Sequence, residues 1–98
     1  MLIEQCTVSR KTPLDGKLEI SASAAERLGS LGDDFPVRTG TGEGRARLHA
    51  MSCTCAKSAS TGQHVHHFVE SDILRALEPG TDVRVELDDA RPGSLSIR

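Results

Sequence analysis

Ninety-eight residues with a formal net charge of −2 fit one domain with a modest core, too small for an enzyme with a separate cofactor domain. Phe35 and Phe68 are the only aromatic residues, so the core must be aliphatic, and a platform of stacked bases of the kind single-strand binders use is excluded. No apolar run approaches the roughly eighteen residues of a membrane span, and the amino terminus lacks the basic-then-apolar form of a secretory signal. The expectation is a cytoplasmic, non-membrane protein, spanning 1–98 as a single domain.

Charge is uneven along the chain. Residues 1–34 carry four positive and six negative groups, and residues 68–98 carry four and seven. Between them, Arg38, Arg45, Arg47 and Lys57 stand against Glu43 alone, so the centre can present a basic face on an acidic whole.

Taken in order, Leu2 to Val8 alternates loosely and reads as a first strand. Ser9 to Gly16 holds Pro13 and the turn pair Asp15-Gly16, with Arg10 and Lys11 at its head, and reads as a loop. Lys17 to Ile20 is a short strand. Ser23-Ala-Ala-Glu26 matches a capping box, in which the serine hydroxyl and the glutamate satisfy free amides at a helix start. That helix should end at Gly29, a residue suited to a left-handed cap.

Phe35 to Arg38 reads as a strand. Thr39-Gly-Thr-Gly-Glu-Gly44 lacks the Gly-Lys-Ser/Thr of a phosphate loop and opens no dinucleotide fingerprint, so it reads as a flexible connector. Arg45 to Ala56 and Gln63 to Val69 form the arms of a central hairpin. Ser71 should cap a second short helix over residues 72–77, ended by Pro79-Gly80. Val83, Val85 and Leu87 alternate with charged residues in a half-buried strand, and Leu95 to Ile97 closes the chain.

The hairpin gathers the chemistry, since it holds Cys53, Cys55 and all four histidines. A turn at 58–61 sets Cys53 opposite His66, Cys55 opposite His64 and Glu70 across from His49. Cross-strand neighbours stand about 5 Å apart, so Cys53, Cys55, His64 and His66 could hold one structural Zn2+. His67 falls on the opposite face. A Cys-His nucleophile pair or an open zinc would instead make a small enzyme, although the zinc-deaminase pattern is absent.

Residues 18–28 leading to 35–38, and residues 67–77 leading to 83–86, share the plan strand, cap, helix, turn, strand. Ala25 aligns with Leu74 and Ile20 with Val69. Such a duplication builds a small pseudo-twofold β-barrel of six or seven strands with two short helices. The closing half, from His67-Phe-Val-Glu-Ser-Asp through Glu-Pro-Gly-Thr-Asp-Val-Arg-Val-Glu-Leu87 with Leu95-Ser-Ile97, resembles the second half of the B3-like and restriction-effector DNA-binding pseudobarrels. It is also similar to AbrB-like and double-psi barrels. The resemblance implies a non-catalytic module gripping double-stranded DNA with two arms, placed by position at Arg10, Lys11 and Lys17 and at Arg45, Arg47 and Lys57. The alternative is an adaptor barrel that binds a protein partner beside a zinc-stiffened hairpin.

Overall fold

The computed structural model describes residues 1–53 and 64–98, with Cys53 and His64 described by their backbone alone. Seven strands form one nearly closed, barrel-like sheet: β1 (Leu2–Thr7), β2 (Lys17–Ile20), β3 (Phe35–Thr39), β4 (Gly42–Cys53), β5 (His64–Glu70), β6 (Asp82–Leu87) and β7 (Leu95–Ile97). Two short helices, α1 (Thr12–Asp15) and α2 (Ala22–Leu28), interrupt the first half, and 3-10 turns cover Gly29–Leu31 and Asp72–Ala76. The strand order is β1-β6-β7-β3-β4-β5-β2.

Alternation decides which way each strand faces. On β2, Leu18 and Ile20 are buried, on β3 Phe35 and Val37, and on β6 Val83 and Val85. With Leu28, Val69, Leu74, Leu95 and Ile97 they make one aliphatic core around Phe35. Strand β7 lies between β6 and β3, antiparallel to one (Val85↔Ile97) and parallel to the other (Val37↔Leu95). Covered on both edges, it is buried along its whole length.

The duplicated plan is visible in the pairing. Exchanging β1, β2 and β3 for β4, β5 and β6 turns the antiparallel β1–β6 ladder into the antiparallel β4–β3 ladder and returns β2–β5 to itself. The same exchange turns β4–β5 into β1–β2, and no ladder joins those two among the described residues. That missing pair is the seam of the barrel. The Glu4 carboxylate bridges it by accepting the Ser21 amide at 3.1 and 3.2 Å.

Several local expectations are corrected. Helix α2 is capped by Ser21, whose Oγ accepts the Ala24 amide at 3.1 Å, rather than by Ser23. The chain leaves β2 in an extended conformation at Ser21, and helical geometry begins one residue later, so Ser23 is already inside the helix. Gly29 stays right-handed at φ −56°; the positive φ of 88° falls at Gly32, after a further 3-10 turn. The Ser71 segment is also 3-10 and not α. Its serine hydroxyl does not cap but donates to the Arg45 carbonyl at 2.7 Å, tying the turn to β4.

The glycine stretch 39–44 is a tight β3–β4 hairpin in which Thr39 pairs with Gly42, not a loose connector. Thr39 Oγ1 accepts the Thr41 amide across the two-residue turn. The central hairpin keeps its predicted strands with another register: Cys53 stands opposite His64, Met51 opposite His66 and Arg47 opposite Glu70. The reading that set Cys53 against His66 and Glu70 against His49 is therefore out by two residues on one strand. Such a slip leaves every side chain on the same face, so hydrophobic alternation does not detect it. The choice falls to packing at the base of the hairpin, where Leu48 meets the fully buried Val69.

Candidate functional site

Lys17, Arg45 and Arg47 of the predicted cations, and His66 of the predicted ligands, lie on the outer face of the sheet formed by β2, β5 and β4. With Leu18, Ile20, Val69 and Ala46 turned into the core, the alternate residues face outward: Lys17 and Glu19 on β2, Glu70, Phe68 and His66 on β5, and Arg45, Arg47, His49 and Met51 on β4. They form cross-strand rows. Lys17, Glu70 and Arg47 make the first, Glu19, Phe68 and His49 the second, and His66 with Met51 the third.

In the first row a carboxylate stands between two cations. Glu70 Oε1 accepts from Arg47 Nε at 2.6 Å and Oε2 lies 3.8 Å from Lys17 Nζ. The Arg47 hydrogen bond holds the Glu70 carboxyl below the usual glutamate range, with the Arg47, Lys17 and His49 charges adding to the effect against a smaller desolvation. In the second row the His49 and Phe68 rings lie 6.4 Å apart and tilted by 43°. Glu19 reaches the third row, its Oε2 2.8 Å from His66 Nδ1. Arg45, next along β4, bonds Asp34 at 3.2 Å.

The turn before α1 reaches this face. Lys11, Asp15, Lys17, Glu19, Met51, His66 and Phe68 line a common cleft of about 320 Å³. Arg10 is exposed beside Lys11, and neither forms an ion pair among the described residues. On the other side of Arg47, a wider cleft of about 780 Å³ sets Arg45, Arg47 and Arg75 against Asp15, Asp33, Asp34, Glu70 and Asp72. The face is basic in its strands and acidic at that margin.

Lys17, Arg45 and Arg47 are thus brought together, and Lys11 joins them through the smaller cleft. Lys57 and Cys55 lie outside the described residues. Of the zinc set, His66 bonds Glu19, and Cys53 and His64 are known by backbone register. Among the described residues no group of three or more His, Cys, Asp or Glu side chains is placed to hold a metal ion. His67 faces away from His66, beside Ala22 and Ala25 of α2, as its parity requires. Cys6, half-buried on β1, has its thiol pushed up to about 11 by burial and then by Glu4, which leaves it a poor nucleophile.

The sequence did not point to Glu19, which bonds His66, or to Asp34, which bonds Arg45; Glu70 it placed across from His49, whereas it pairs with Arg47 and Lys17. Glu70 had a signal in its place one residue after a core valine, but its partner depended on the register. Comparison with protein-family models, curated proteins and solved structures gives no match. Among the described residues no helix is long and apolar enough to cross a membrane.

Proposed function

We propose that this chain is a non-catalytic module that binds double-stranded DNA through the outer face of β2, β5 and β4. One observation carries the reading: cations from two distant segments, Lys11 and Lys17 from the first half and Arg45 and Arg47 from the centre, border the same strand face. Their role is to contact phosphates, which fixes position more than sequence preference. Phe68 is the only Phe, Tyr or Trp of that face, and its ring is packed against His49, which favours a duplex read by its backbone over a strand of stacked bases. Arg45 and Arg47 have side chains 62% and 66% exposed, and exposed ion pairs are worth only about 0–1 kcal/mol, so phosphate can compete for both guanidinium groups. Arg10 and Lys57 extend the same proposal by position.

The test is a salt titration of binding to a fluorescent duplex. Replacing Arg45 and Arg47 together by Ala should weaken binding and lower the slope of log K against log salt by about two, the loss of two phosphate contacts. An unchanged slope removes both residues from the interface and ends the reading.

A second reading, an adaptor for a protein partner, is favoured by Met51, which is 47% exposed on the outer face beside His66. Under it the duplex does not bind, and Met51→Ser abolishes capture of the partner. A structural zinc drawn from Cys53, Cys55, His64 and His66 belongs to either reading as a stiffener of the hairpin. Metal analysis tests it, with thiols counted before and after a chelator; equal counts and no bound zinc reject it.

A further inference from the structure

We infer that Glu70 sets the selectivity of this face: it is a carboxylate held where a phosphate would sit between Lys17 and Arg47, and it suppresses their attraction for polyanions in general. The inference rests on the DNA-binding reading and names what restrains it. Glu70 gives one oxygen to each cation, Oε1 to Arg47 at 2.6 Å and Oε2 to Lys17 at 3.8 Å, as a bridging phosphate would. The row therefore offers one net positive charge instead of two.

Its position is fixed by backbone. The next residue, Ser71, donates its amide to the Gly16 carbonyl at 2.9 Å and its hydroxyl to the Arg45 carbonyl at 2.7 Å. Glu70 is thus anchored on both sides of the row, to the turn that precedes Lys17 and to the strand that carries Arg47. The Lys17 and Glu70 side chains are each 23% exposed, while the Arg47 side chain is two-thirds exposed. Only a ligand that lays its phosphates along the row gains enough to share Arg47 with Glu70. Loose or irregular polyanions meet a row of reduced positive charge.

The experiment compares wild type, Glu70→Gln and Glu70→Asp on two probes, a duplex of about 20 base pairs titrated between about 50 and 200 mM salt, and a heparin column. The glutamine variant keeps shape and a hydrogen-bond acceptor but loses the charge. It should bind the duplex several-fold more tightly, with a slope steeper by about 0.9, and elute from heparin at higher salt. The aspartate variant keeps the charge and should match wild type on both. Urea midpoints confirm that each variant is folded.

Unchanged elution of the glutamine variant overturns the inference, and so does an aspartate variant that behaves like the glutamine one, since the effect would then be packing. Failure of the DNA reading looks different. No form then binds the duplex, while the heparin shift alone still decides whether Glu70 neutralises the row.

Discussion

Gly16 and Ser71 meet backbone to backbone: the Gly16 carbonyl accepts the Ser71 amide at 2.9 Å, and a Cβ built on Gly16 would stand 2.7 Å from the Ser71 carbonyl oxygen. Gly16 also holds φ at +70°, a conformation that costs an L-residue about 1–2 kcal/mol. The contact stitches the end of α1 to the end of β5. Gly16→Ala should therefore lower the urea midpoint by more than the backbone term alone, with little change in m. Gly29→Ala is the control, since its φ is −56° and a Cβ there meets nothing within 4 Å. It should be neutral or slightly stabilising, and equal losses at both sites would contradict this account.

The cap of α2 separates two serines that look alike in the sequence. Ser21→Ala removes the acceptor for the Ala24 amide and should cost about 1 kcal/mol. Ser23→Ala, one residue into the helix, should cost little or gain slightly from better propensity. Paired chemical denaturation of the two variants decides between the caps.

At Gly44 the constraint comes from a neighbour. An added Cβ would lie 2.5 Å from Ile73 Cγ2, because the 3-10 turn of the second half packs directly on β4. Gly44→Ala should destabilise by about 1–3 kcal/mol as overpacking. Much of that should be recovered in the background of Ile73→Ala, which removes the clashing methyl. A double-mutant cycle with no coupling would show that the turn does not bear on the strand.

Glu70 links stability to pH. Its carboxyl is held below the ordinary glutamate value in the folded protein, so its contribution is present above about pH 4.3, the unfolded value, and is lost as pH falls through the folded one. The stability difference between wild type and Glu70→Gln should accordingly shrink between neutral pH and pH about 3. A difference that stays constant over that range would mean that the carboxylate gains nothing from Arg47 and Lys17.

Much of the fold was legible because strands with one buried face announce themselves. Val83, Val85 and Leu87 alternate against Arg84 and Glu86, and Leu18 and Ile20 against Lys17 and Glu19, and these strands lie where the alternation puts them. The repeat was legible in the same way, through apolar positions that coincide. The register of the central hairpin was not, because a two-residue slip preserves both faces and the turn at 58–61 offered no stronger signal. Nor could the sequence separate Ser21 from Ser23, or show that Ser71 spends its hydroxyl on Arg45 instead of a helix end. The first and third depend on packing and a hydrogen bond between segments distant in sequence, and the second on where the backbone turns helical after β2. The set Lys17, Arg45 and Arg47 came from the arm positions that the resemblance implies, whereas the pairing of Glu70 with Arg47 required the true register.

The sheet order also governs how the chain can fold. Strand β1 finds its partner in β6, so that Thr7 pairs with Asp82 and Gln5 with Arg84, and the ladder closes only after nearly the whole chain has been threaded into place. The β3–β4 hairpin closes over a two-residue turn and should form early. Mostly non-local pairing of this kind places a protein among the millisecond-to-second folders rather than the microsecond ones. Until β6 arrives, β1 waits as an unpaired edge, and a second nascent chain can offer the same partner. Refolding at high protein concentration should therefore exchange β1 between molecules.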